Sequence, residues 1–280
     1  MLVAALIAGA AVAHATWNIA IKRAGASGTV FLWLAFVLGA VLFSPVGVVT
    51  IAESGTAWLP LAAVSGALQI GYFYLLQYAY RVGDVSVVYP LARGTGPLVS
   101  VVLAILLFNE RPGALGLVGA AVVIVGVVVI GLAGGRSGAA VNRPGVIGGL
   151  AVGVIIGLYT IWDSNAVING GMPPLGYYWA VVSGALLLTP AALHQRRTVL
   201  PTIRRHWRAV LVVGILSPVA YVLVLIAVQF APVSIVAPAR EVSVVLVGLA
   251  GWLLFKEPHP VQRLLGAAVV LAGVAMLALG

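Results

Sequence analysis

Ten apolar runs, each about long enough to cross a bilayer, constrain this 280-residue chain more than any other feature. They occupy residues 2–21, 29–50, 58–79, 85–107, 114–133, 144–168, 174–193, 209–229, 233–255 and 262–279. One water-soluble domain cannot absorb them. Hydrophobic residues make up 62% of the chain and charged residues 8%, against about 45–50% and about 25% in ordinary globular proteins. None of the runs alternates with the period of two that marks an outer-membrane barrel strand. The longest linkers, 134–143 and 194–208, leave no room for a separate soluble domain. The chain therefore reads as an all-α integral membrane protein with ten transmembrane helices.

An internal repeat organises the ten runs. Val118-Gly119-Ala120-Ala121-Val122-Val123-Ile124-Val125-Gly126-Val127 recurs 147 positions later as Leu265-Gly266-Ala267-Ala268-Val269-Val270-Leu271-Ala272-Gly273-Val274. The same offset carries Arg93 onto Arg240, Phe108 onto Phe255 and Glu110 onto Glu257, and Pro90 falls one position from register with Pro238. Trp17 and Trp162 stand at the front of the two halves. The expected organisation is a first repeat at 1–133, a linker at 134–143 and a second repeat at 144–280. Five spans per repeat is an odd number, so the halves have inverted topology, the arrangement that builds two-sided gates around a central site.

Loop charge sets the orientation. Lys22, Arg23, Arg81, Arg136, Arg143, Arg196, Arg197, Arg204, Arg205, Arg208, Lys256 and Arg263 follow odd-numbered spans, and Arg111 alone follows an even-numbered one. Basic loops stay in the cytoplasm, so both termini are expected outside the cytoplasm. The net charge of +9 is thus a topology signal and implies no nucleic-acid partner. The lack of cysteine excludes disulfides, thiolate metal sites and thiol nucleophiles. No HExxH, Walker A or GxGxxG motif is present, so no metal, ATP or dinucleotide cofactor is implied and the chain does not read as an enzyme.

Ionisable residues inside apolar runs mark function, since each costs several kcal/mol in hydrocarbon unless paired or wetted. Arg93 lies inside the fourth run and Arg240 inside the ninth, both among prolines and glycines. A guanidinium fork suits a carboxylate, phosphate or phosphonate; the competing reading is internal pairing with Asp163 or Glu241. Asp163, Glu241 and His14 are proton-coupling candidates. Trp17, Asn18, Gln69, Tyr72, Tyr74, Gln77, Tyr78, Tyr89, Tyr159 and Trp162 are candidate pocket residues; Trp17, Asn18, Gln77, Tyr78, Tyr89 and Trp162 are the ones expected to bind substrate beside the arginines. Pro90, Pro97 and Pro238 are expected hinges. Glu110-Arg111-Pro112 and Lys256-Glu257-Pro258 read as solvated caps and turns. The small residues of spans 5 and 10 serve either as a homodimer face or as a packing seam within the chain.

With these pieces in place the chain resembles the drug/metabolite transporter superfamily, in its EamA-domain branch. The resemblance rests on Trp17, on Ser86 to Pro90, on Glu110-Arg111 and on Gly119 to Gly126, repeated as Trp162, Ser234 to Pro238, Glu257-Pro258 and Gly266 to Gly273. It implies a ten-helix carrier of the bacterial inner membrane. Relatives of this kind are usually drawn with cytoplasmic termini; the loop charges here indicate the reverse. The expected function is a secondary transporter, in the export direction, for a small anionic or zwitterionic metabolite such as an amino acid, organic acid or phosphonate. Alternating access would occur in the lipid bilayer. A lipid-headgroup flippase or a multidrug or aromatic-compound exporter on the same scaffold are the alternatives.

Overall fold

A computed structural model describes residues 1–25, 28–83, 85–133, 143–255 and 260–280. Most of the expected linker and the Lys256-Glu257-Pro258 turn lie outside these residues. Among the described residues there is no strand. The helices are α1 (Leu2–Ala24), α2 (Thr29–Leu42), α3 (Ser44–Ser54), α4 (Leu59–Val82), α5 (Val85–Phe108), α6 (Ala114–Ala133) and α7 (Arg143–Ile168). Then follow α8 (Pro174–Ser183), a 3-10 turn (Gly184–Leu188), α9 (Thr189–His194), α10 (Arg196–Ala227), α11 (Val233–Ala239), α12 (Val242–Phe255) and α13 (Pro260–Leu279).

Seven helices or helix runs are long and apolar enough to cross a membrane: α1, α4, α5, α7, α8 to α9, α10, and α11 to α12. The bent pair α2–α3 makes an eighth, and α6 and α13 hold shorter apolar stretches at Ala114–Val129 and Leu264–Leu279. The ends follow local chemistry. Gly25 adopts φ 58°, a left-handed conformation that glycine enters freely, and its N–H closes on the Ile21 and Lys22 carbonyls. Prolines near the starts of α3, α4, α8 and α9 have no N–H to leave unsatisfied there.

The structure departs from the sequence reading in three places. Residues 29–50 do not form one straight span; the chain turns through 55° between α2 and α3. Ser44 Oγ donates to the Val41 carbonyl at 2.7 Å there, and Pro45 follows without a donor of its own. Residues 194–208, expected as a linker, are almost wholly helical, because α10 starts at Arg196 and runs 32 residues. That is about 48 Å of helix against a hydrocarbon core of about 30 Å, so its arginine-rich start projects past the apolar layer. The third departure concerns the hinges. α5 passes Pro90 and Pro97 without interruption, whereas the ninth run breaks just after Pro238. There the Glu241 N–H bonds the Pro238 carbonyl at 2.9 Å and the Val244 N–H bonds the Glu241 carbonyl at 2.8 Å, three-residue turns in place of the α ladder.

The two halves interleave. α5 packs on α7, α1 on α10 and α12, α4 on α7, α2 on α10, and α6 on α13, each pair drawing one helix from each half. Glycine makes the closest approaches. A Cβ added at Gly126 would lie 2.7 Å from the Val270 nitrogen, and one at Gly119 would lie 2.8 Å from the Gly273 carbonyl oxygen. The small residues of α6 and α13 therefore form a packing seam inside the chain, one of the two roles open to them from the sequence. Gly149 and Gly153 do the same for α7 against α5, where an added Cβ would meet the Val88 and Ala92 carbonyl oxygens at 3.0 Å.

Candidate functional site

The interleaving leaves a central cavity of about 450 Å³. Arg93 of α5 and Arg240, in the break between α11 and α12, both line it. His14, Trp17 and Asn18 of α1 contribute one wall, with Gln69, Tyr72 and Tyr80 of α4 and Tyr89 of α5 beside them. Tyr159 of α7, Tyr178 of α8 and Tyr221 of α10 complete the aromatic lining. It extends out to Ile21, Leu32 and Tyr80, close to the α1–α2 and α4–α5 connections.

The arginines differ in how they are held. An Nη of Arg93 lies 2.7 Å from the Glu241 carboxylate and donates to Ser243 Oγ at 3.3 Å. Arg240 makes longer contacts, 3.4 Å from Nε to Glu241 and 3.4 Å from Nη to Thr160 Oγ1. Arg93 thus makes the closer ion pair and Arg240 the looser one, while neither Glu241 oxygen has a partner in hydrogen-bond geometry. Both Nε atoms are buried without a hydrogen-bond acceptor, as is Trp17 Nε1. Glu241 is itself 1% exposed. It reaches both arginines because the helix breaks at this point; on a continuous helix its side chain would lie about 100° from that of Arg240.

Asp163 lies behind the tyrosine wall and is fully buried. Tyr177 Oη donates to one of its oxygens at 2.8 Å and Tyr221 Oη to the other at 2.7 Å. Ser65 and Gln69 of α4 are close to it, and Gln69 Nε2 donates to Ser65 Oγ at 3.4 Å. The sequence reading considered Asp163 as counter-ion to a buried arginine; its partners are neutral donors on α8 and α10. Rings continue from this cluster into the cavity, with Tyr178 on Tyr221 at 4.7 Å, Tyr221 by Tyr159 at 6.0 Å and Tyr159 by Tyr72 at 6.1 Å between centroids.

Four sequence candidates sit elsewhere. Trp162 donates from Nε1 to the Leu61 carbonyl at 2.8 Å, fastening α7 to α4. Gln77 and Tyr78 are on the exposed face of α4, where the Arg81 guanidinium lies 5.7 Å from the Tyr78 ring centroid; Tyr74 is exposed as well. On a 24-residue apolar helix, sequence alone does not say which tyrosines face inward. Tyr80, Tyr178, Tyr221, Ser217 and Ser243 were missed. Tyr221 lies beside Pro218, an intrahelical proline that could have signalled it.

The sequence suggests a solvated cap at Glu110. It is a cap, but of a helix in the other half. Asn109 takes φ 53° at the end of α5, a conformation asparagine tolerates. The Glu110 carboxylate then accepts the Val233 N–H at 2.7 Å and the Ser234 N–H at 2.9 Å, at the start of α11. This clasp borders a surface groove lined by Phe108, Asn169 and Phe230.

A polytopic bundle whose halves enclose an aromatic-lined, arginine-bearing cavity is an architecture suited to a membrane transport protein. The chain belongs to the EamA-like transporter family, whose profile matches residues 1–132 and 143–279. No curated protein sequence matches it. One similar solved structure, a crystal structure of a protein 19% identical, superposes with a TM-score of 0.77 over 99% of this chain and 96% of its own, a likeness of fold.

Proposed function

We propose that the protein is a secondary carrier for a small anionic or zwitterionic metabolite, bound in the central cavity and moved by alternating access of two inverted five-span halves. The observation that carries this reading is the cavity itself, which receives an arginine from the same position of each repeat. Arg240 is the principal anion ligand because its donors are the less satisfied. The buried Trp17 N–H offers a further donor to a substrate oxygen. Under the orientation implied by the basic loops, the lining reaches outward on the cytoplasmic side, while Glu110 clasps α11 at the opposite end. That is the state in which an exporter loads.

The test is uptake into proteoliposomes of labelled carboxylates, amino acids, phosphonates and sugar phosphates, with Arg240→Ala and Arg240→Lys proteins beside wild type. Saturable transport of an anion is expected, with apparent affinity roughly a hundredfold lower in Arg240→Ala, the effect of losing about 2–3 kcal/mol of charge-assisted bonding. Transport unaffected by both changes would move recognition to the tyrosine wall.

A further inference from the structure

We propose that Glu241 is a charge-counting residue, restricting the cavity to substrate groups that bear a single negative charge. This rests on the carrier reading above and narrows its substrate class. Two guanidinium groups line the cavity, and the Glu241 carboxylate contacts both, at 2.7 Å and 3.4 Å. Two positive charges and one negative leave one positive charge for the ligand. Glu241 is 1% exposed and is not part of the cavity wall, so it acts as a fixed counter-charge and not as an anion that the substrate displaces.

The repeat underlines the point. Glu241 corresponds to Gly94 in the first half, so the carboxylate has been placed on one side only of an otherwise matched pair. Asp163 stays outside this count, because its two oxygens accept from the Tyr177 and Tyr221 hydroxyls behind the wall. A substrate with two negative charges would therefore bring its second charge into a low-dielectric site whose described lining holds no lysine or arginine beyond Arg93 and Arg240, and burying an unpaired charge is strongly unfavourable. A carboxylate, a sulfonate or a singly ionised phosphonate fits; a dicarboxylate or a fully ionised phosphate ester does not.

A matched pair of probes tests this without altering the protein. Propanesulfonate carries one charge at any ordinary pH, whereas propylphosphonate, whose second proton leaves about two pH units above that of a phosphate monoester, passes from one charge to two on going from about pH 6 to about pH 9.5. Each is measured in proteoliposomes by uptake and by competition against the best-carried anion. A change of site charge with pH also acts on the singly charged sulfonate, which therefore reports it, and the comparison with Glu241→Gln at each pH isolates the part due to Glu241. Wild type should handle the sulfonate within about twofold across the range and lose the phosphonate by about tenfold or more, the effect of at least 1.4 kcal/mol. Glu241→Gln should remove that loss, and Glu241→Asp should restore it.

A phosphonate profile that follows the sulfonate in wild type would overturn the proposal, as would a folded Glu241→Gln protein that keeps the wild-type ratio. If Glu241→Gln does not fold, the wild-type pair still decides. Failure of every anion to be carried or to compete would overturn the carrier reading and the charge filter with it.

Discussion

The two cavity arginines have different work, and substitutions should separate them. Arg93 neutralises the buried Glu241 at 2.7 Å. Arg93→Ala leaves that carboxylate without its close partner, a change typically worth about 3–5 kcal/mol, and should show as a large drop in thermal unfolding temperature in detergent. Arg240→Ala should barely move that temperature and should instead weaken ligand. Asp163 is a structural anchor in the same sense. Asp163→Ala strands the Tyr177 and Tyr221 hydroxyls, at about 1–3 kcal/mol for each unsatisfied group. Unfolding experiments should find Asp163→Ala far more damaging than Tyr221→Phe, which removes only one of the donors; equal effects would argue against the anchoring role. The sequence showed that these four charges were buried, because charge inside an apolar run is conspicuous. It did not show who paired with whom, since Arg93 and Glu241 lie in different repeats and meet only across the packed halves.

Helices in this chain are held by close contact where glycine permits it and by capping across the halves. Gly119 and Gly126 let α6 lie on α13 with backbone atoms nearly touching. Gly119→Val should force the pair apart and cost about 1–3 kcal/mol of overpacking, whereas a valine at Gly116, which meets only Pro112 at 3.8 Å, should be tolerated. Thermal stability of the two variants measures the difference. Glu110 supplies both acceptors at the start of α11, so Glu110→Ala should cost about 0.5–2 kcal/mol. If the clasp also holds that end shut, the same variant should make a cysteine placed at Phe230 more reactive to a water-soluble maleimide. The positions of the runs were legible because apolar length is read off directly, and 85–107 corresponds closely to α5. Breaks were less so. α5 runs on through Pro90 and Pro97 and α10 through Pro201 and Pro218, whereas the ninth run breaks after Pro238, so a proline in the sequence does not by itself mark a break.

At the scale of the whole molecule, orientation is the open structural proposal with the simplest test. The chain has no cysteine, so a single one at Leu200, an exposed position in the basic start of α10, gives an unambiguous reporter. It should be labelled only by reagents that reach the cytoplasmic face, as the positive loops require; labelling from outside would reverse both the orientation and the loading side. The sequence by itself determined that this is a multi-pass membrane protein of the EamA-like family, and roughly where its helices run. Those properties are local: a bilayer acts on each segment's hydrophobicity, whatever the neighbours. Only the tertiary structure decided that Trp162 and Gln77 leave the cavity while Tyr178 and Tyr221 enter it. It also decided that Glu110 caps a helix of the other half, and that Glu241 stands between two arginines. Each of these depends on which face of a helix meets its neighbour, and in lipid that choice is made by close packing between segments far apart in the chain, where apolarity on every face leaves no stripe to read.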